Sequence, residues 1–195
     1  MPTHKPIQSI CPCDPQNVRL ITAYTDGSLC IWDTVRRQPL NYFMTELNEV
    51  RTILKDEQMT IVLVGLDKMK REVINIISNS SVIFRQISNF NIHGAVLVSS
   101  KSFEEGLLTF GFENIRIWRV NSQKGIIQGS NIYLGQTNRK VKYTSAIMIK
   151  TMQDNLAFVT DSNGFVTTIS ITESKMLQSL KVDAHALDHI ALLDY

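Results

Sequence analysis

Two clusters in this 195-residue chain carry side chains able to do chemistry. The first is Cys11 and Cys13, one residue apart and close to His4, a set of soft ligands that invites zinc. A structural zinc site needs four ligands, with two to four residues between the members of a pair and a second pair downstream. No second pair follows, and the third cysteine, Cys30, stands alone. An odd count at these spacings is no disulfide framework either, which points to a reducing, cytoplasmic setting. The second cluster is Asp183, His185, Asp188 and His189; with His4 and His93 these account for every histidine. General acid–base work requires a partnered group facing a substrate pocket. No nucleophile elbow of the form G-x-S-x-G is present, and no glycine-rich phosphate loop. The expectation is no enzyme, no metal and no cofactor, with His4 and His185 acting as buried structural hydrogen-bonders.

Basic residues offer a different chemistry. From Thr137 to Gln153 the chain carries Arg139, Lys140, Lys142 and Lys150 and no acidic residue. Lys68, Lys70 and Arg71 form a second basic group. Clusters of this size attract an acidic protein surface through salt-sensitive electrostatics. A solvated loop is the plainer reading of each. The net charge of the whole chain, +2, is too mild to point to nucleic acid. The apolar run Ile61–Leu66 is far short of the roughly 20 residues of a membrane-spanning helix, and the N-terminus has no signal pattern, so no membrane insertion is expected.

The elements that would position these groups are short strands. "TDGSLCIWD" (25–33) runs from a tight turn into an apolar strand ending on Trp32-Asp33. Related units follow at "KREVINIISN" (70–79), "FENIRIWRV" (112–120) and "DSNGFVTTISI" (161–171). Taking Trp32, Ile77, Trp118 and Ile169 as equivalent strand anchors gives spacings of 45, 41 and 51 residues. A period near 40–45 residues is the mark of propeller blades. Each unit contains four apolar stretches rich in β-branched and aromatic residues, divided by Gly, Asn, Asp, Ser or charged residues. In unit one they are Ile7–Cys11, Leu20–Tyr24, Leu29–Trp32 and Leu40–Met44. The expected architecture is all-β: a propeller of about four four-stranded blades, at about 1–46, 47–89, 90–136 and 137–182, with a fifth first strand in 183–195. "KSFEEGLL" (101–108) is expected to be a hairpin loop rather than a helical turn. Trp32, Trp118, Phe110 and Phe165 are expected in the blade cores.

At these residues the chain resembles the WD-repeat propellers. His4, Asp26-Gly27 and Trp32-Asp33 are similar to the GH…DG…WD signature, and His185 resembles the opening His of a further blade. The resemblance implies a buried hydrogen-bond chain from His through turn Asp and a second-strand Ser or Thr to Trp. Tyr24 occupies the Ser/Thr place, which leaves that chain incomplete. Glu113 stands near the turn-Asp position of unit three, and Ile169 replaces Trp in unit four. A narrower resemblance, carried by "VGLDKMKREVINI" (64–76) and the Gly111–Val120 segment, is to the large WD-repeat proteins of centriole walls and ciliary microtubules. It implies a non-enzymatic scaffold whose partners are tubulin or other ciliary proteins. The alternative is an adaptor subunit of a cytosolic or nuclear complex. A WD ring needs at least four blades and mostly has seven. Three readings of the blade count therefore stand: a segment of a larger propeller, a chain that pairs with another to complete a ring, or, least favoured, a small closed ring.

Overall fold

A computed structural model describes residues 5–14, 16, 18–121, 124–135 and 140–191. Among the described residues sixteen strands make four antiparallel sheets, and in each sheet the strands lie in chain order from one edge to the other. Two units, each of two sheets, divide the chain.

The first unit spans 1–89 with 100–102. Its first sheet is β1 (Ile7–Pro12), β2 (Arg19–Tyr24), β3 (Ser28–Asp33) and β4 (Gln38–Met44). Its second is β5 (Leu47–Lys55), β6 (Ile61–Asp67), β7 (Glu72–Ser78) and β8 (Ser81–Ser88). The second unit spans 90–99 and 103–195. It holds β9 (Gly94–Leu97), β10 (Leu107–Phe110), β11 (Ile115–Asn121) and β12 (Ile126–Asn131). Its other sheet is β13 (Tyr143–Lys150), β14 (Asn155–Asp161), β15 (Phe165–Ser170) and β16 (Lys175–Lys181). The four apolar stretches expected in each of the four blades all overlap these sixteen strands.

Burial follows strand position. β6 and β7 are near-continuous apolar runs buried on both faces, as strands covered by neighbouring layers must be. The fourth strand of each sheet is an edge and largely exposed, and it mixes polar residues with exposed apolar ones such as Leu40, Tyr42, Ile83 and Leu180. In the first unit Ile21, Ala23 and Leu29 of one sheet interdigitate with Val50, Leu63 and Ile77 of the next. In the second, Leu108, Phe110 and Ile117 pack on Ala157, Val159 and Ile169.

The turns joining second and third strands need a residue at positive φ in all four sheets. Gly27 (φ 79°) and Gly164 (φ 81°) supply it in two, and Lys70 (φ 58°) and Glu113 (φ 55°) in the others. At Gly27 glycine is required twice over, because a Cβ would lie 1.9 Å from the carbonyl oxygen of Leu47. The chain leaving β4 crosses this turn, and Thr45 N–H donates to Gly27 O at 2.9 Å. Val182 N–H repeats the contact with Gly164 O at 2.9 Å.

"KSFEEGLL" connects the β9–β10 hairpin as expected, with a single 3₁₀ turn, Phe103–Glu105, held by the burial of Phe103. Two local expectations are corrected. His189–Ala191 form no strand, and 192–195 lie outside the described residues. The hydroxyl partner of Trp32 is Thr22, not Tyr24: Trp32 Nε1–H donates to Thr22 Oγ1 at 2.9 Å. Trp118 does the same to Thr109 Oγ1 at 2.8 Å. Each Trp pairs across the ladder with a leucine, Leu20 or Leu107, and its ring leans to the Thr two residues on.

Candidate interaction surface

Lys68, Met69, Lys70 and Arg71 form the turn between β6 and β7. Asp67, the last residue of β6, holds that turn together. Its Oδ1 accepts the backbone N–H of Met69 at 2.9 Å and of Arg71 at 3.0 Å. Its Oδ2 accepts Arg71 Nε at 2.9 Å and Arg85 Nη2, from β8, at 3.2 Å. Asp67 is thus a buried anion with two guanidinium partners, and the hydrogen bond from Arg71 above all holds its carboxyl below the ordinary carboxylate range. A bent, hydrogen-bonded turn leaves its outward side chains free to project. Lys68 and Lys70 are exposed and have no ion-pair partner among the described residues, and Met69 is 72% exposed.

The turn stands at the mouth of a groove of about 450 Å³ in the first unit. Met44, Leu47 and Met69 give it apolar surface, and Lys68, Arg71 and Arg85 line it together with Asp26, Glu46 and Asp67. Glu46 pairs with Arg85 at 3.7 Å. Asp26 caps its own turn by accepting Ser28 N–H at 3.1 Å and Ser28 Oγ–H at 2.5 Å, and it pairs with Lys5. Burial pushes the Asp26 carboxyl up, but the hydrogen bonds from Lys5 and Ser28 outweigh it and bring it down to about 2. With every acid of the groove engaged, the uncommitted charge at its rim is that of Lys68 and Lys70. An apolar floor beneath a basic rim can hold an extended acidic segment with apolar side chains.

In the second unit Lys140 and Lys142 are exposed, in the connection leading into β13. The backbone there is pinned on both sides. Glu113 N–H donates to Val141 O at 2.7 Å, and Ser162 N–H to Lys142 O at 2.9 Å. Arg139 lies outside the described residues, as does His4.

The remaining sequence candidates are not brought together into a site. His185 is exposed, its side chain 91% accessible, and it bonds only its neighbour Asp183 through Nδ1 at 3.0 Å. The expectation of a buried His185 is therefore corrected: the segment after β16 runs over the turn at Gly164, with its side chains in solvent. His189 and His93 are exposed too. Asp33 accepts Arg36 N–H at 2.8 Å, a turn contact at the end of β3. Phe110 and Trp118 are core residues, whereas Trp32 and Phe165 are half-buried. The three cysteines are free thiols. Burial pushes all three up, Cys13 to about 11. Among the described residues no three His, Cys, Asp or Glu side chains stand together as a metal site, and no helix is long and apolar enough to cross a membrane.

Arg85, Asp67 and Met69 are among the members of this surface that the sequence did not single out. Asp67 was legible in principle, since an Asp closing an apolar run before a charged turn is a capping residue. Arg85 is brought to Asp67 only by the β7–β8 hairpin.

The chain is similar to the crystal structure of the Myceliophteria thermophila Cps50 (Swd1) β-propeller domain, with a TM-score of 0.76 over 97% of this chain and 10% sequence identity. The fold is a WD40-type β-propeller fold. At that identity the likeness carries architecture alone. The match takes in 62% of the Swd1 chain, so this chain spans less than two thirds of that propeller's length. No family model matches the sequence, and no curated protein matches it.

Proposed function

We propose that this propeller is a non-enzymatic protein-interaction scaffold that binds the acidic surface of microtubules in the centriole or ciliary axoneme through its basic turns. The observation that carries the proposal is the β6–β7 turn: Lys68 and Lys70 project as uncommitted cations beside a groove whose own acids are all engaged. Lys140, Lys142 and Arg139 add a second basic connection. Propellers expose their turns while burying their strands, so turns are where such scaffolds meet partners. The cytoskeletal setting is supported by the resemblance at 64–76 and 111–120. The reading also takes further blades or another chain to complete the ring.

The test is a charge reversal of Lys68 and Lys70 together, and separately of Arg139, Lys140 and Lys142. Each folded variant is expected to bind polymerised tubulin more weakly than the parent at low salt, with a shallower salt dependence. Unchanged affinity in both folded variants would remove the basic turns from the account. Retained folding with no tubulin binding by the parent chain would favour the adaptor-subunit reading.

A further inference from the structure

The two sheet-to-sheet interfaces follow one rule. In the first unit the face of the first sheet that lacks Trp32, carrying Ile21, Ala23 and Leu29, packs on the face of the second sheet that carries Asn75 and Ile77; Asn75, not the expected Ile77, stands five residues after the positive-φ turn residue, as Trp32 and Trp118 do. In the second unit the face of the β9–β12 sheet that lacks Trp118, carrying Leu108, Phe110 and Ile117, packs on the face carrying Ile169, the Trp equivalent there. A face without the anchor thus receives a face with it, twice.

Among the described residues each unit also has a face with half-buried and exposed apolar side chains, and the two are one of each kind. On the first sheet the Trp32 face presents Ile10, 56% exposed, and Tyr42, 44% exposed, with half-buried Leu20 and Trp32 between them. The Trp32 indole N–H is already bonded to Thr22, so the ring can be covered without stranding a donor. On the last sheet the face opposite Ile169 presents Ile147, Ile149, Leu156, Phe158 and Val166, all half-buried, and Leu180, 66% exposed. β6 and β7, by comparison, are apolar and buried on both faces. Contiguous apolar surface of this kind marks an interface.

We infer that the β13–β16 face of one chain docks the Trp32 face of a second copy of the same chain, head to tail. The occupant is argued from complementarity: by the rule seen twice, the β13–β16 face takes an anchor-bearing face, and the chain itself carries such a face at Trp32. Such a contact is heterologous, each copy offering a different half. It is independent of the microtubule reading, since it uses strand faces and no basic turn.

The test is sedimentation velocity on the full chain from micromolar to tens of micromolar, with Tyr42→Lys and Phe158→Lys made singly and then mixed. The parent is expected to sediment with at least twice the mass of one chain, dissociating on dilution. Each variant is expected to be monomeric, with the thermal unfolding of the parent retained. The equimolar mixture is expected to recover a two-chain species, because the Phe158 face of the Tyr42→Lys chain and the Trp32 face of the other are both intact. That recovery also excludes misfolding as the cause of the single-variant loss. A parent that stays monomeric throughout the range would overturn the inference, as would association that neither substitution disturbs or a mixture that stays monomeric.

Discussion

Thr109→Val and Thr22→Val remove the same hydroxyl from the same Trp–Thr bond, and they are expected to differ in cost. In the second unit Thr109 is fully buried, Trp118 is 3% exposed, and the bond is 2.8 Å. Valine there keeps the β-branched strand shape but leaves the indole N–H with no acceptor and no access for water. An orphaned buried donor costs about 1–3 kcal/mol. In the first unit Trp32 is only half-buried, so water replaces the lost acceptor and the cost is that of an ordinary net hydrogen bond, about 0.5–1.5 kcal/mol. The chain has two tryptophans, one in each unit, so urea unfolding followed by indole fluorescence reads each separately once the other is replaced by Phe. With a urea slope of about 2 kcal/mol per molar, Thr109→Val is expected to lower the Trp118 transition by about 0.5–1.5 M. Thr22→Val should lower the Trp32 transition by clearly less. Equal shifts, or a larger one at Thr22, would refute the reasoning that burial sets the cost.

Three further outcomes follow from the same geometry. Gly129→Ala should destabilise the second unit by roughly 1–3 kcal/mol, an overpacking cost, because a Cβ at that position lies 2.6 Å from the Trp118 ring; indole fluorescence during chemical unfolding measures it. The Asp26 carboxyl titrates lower in the folded chain than in the unfolded one, so its contribution to stability is present above pH 4 and is lost as pH falls toward 2. Asp26→Asn should therefore flatten the acid limb of the stability profile between those values, measured by circular dichroism. Cys13, pushed to about 11 and 5% exposed, should resist thiol reagents at pH 8 in the folded chain and react at once in urea, as counted by mass spectrometry.

The strands were legible because each is an apolar run closed by residues with few other roles. Asp26-Gly27 and Asn163-Gly164 announce their turns, and Ile61–Leu66 reads as a short apolar run; that β6 is buried on both faces is seen only in the structure. The Trp32 partner was misassigned because sequence distance does not reveal lean. Tyr24 and Thr22 share a face of β2, and only the register, which sets Trp32 opposite Leu20, selects Thr22. His185 looked buried by likeness to a repeat, yet burial depends on what lies over a segment, and the chain after β16 lies over the Gly164 turn with its own side chains in solvent. The basic turn was visible as Lys68, Lys70 and Arg71. Its division of labour was not, because Arg71 is tied to Asp67 and Arg85 arrives from 18 residues away to share that carboxylate.

Co-sedimentation of the folded 195-residue chain with stabilised microtubules, at low and at physiological salt, tests the scaffold reading most directly. The account predicts pelleting at low salt that weakens as salt rises and falls further when the acidic tubulin tails are removed. A folded chain that stays in the supernatant at both salts, or that pellets equally with and without those tails, would contradict it.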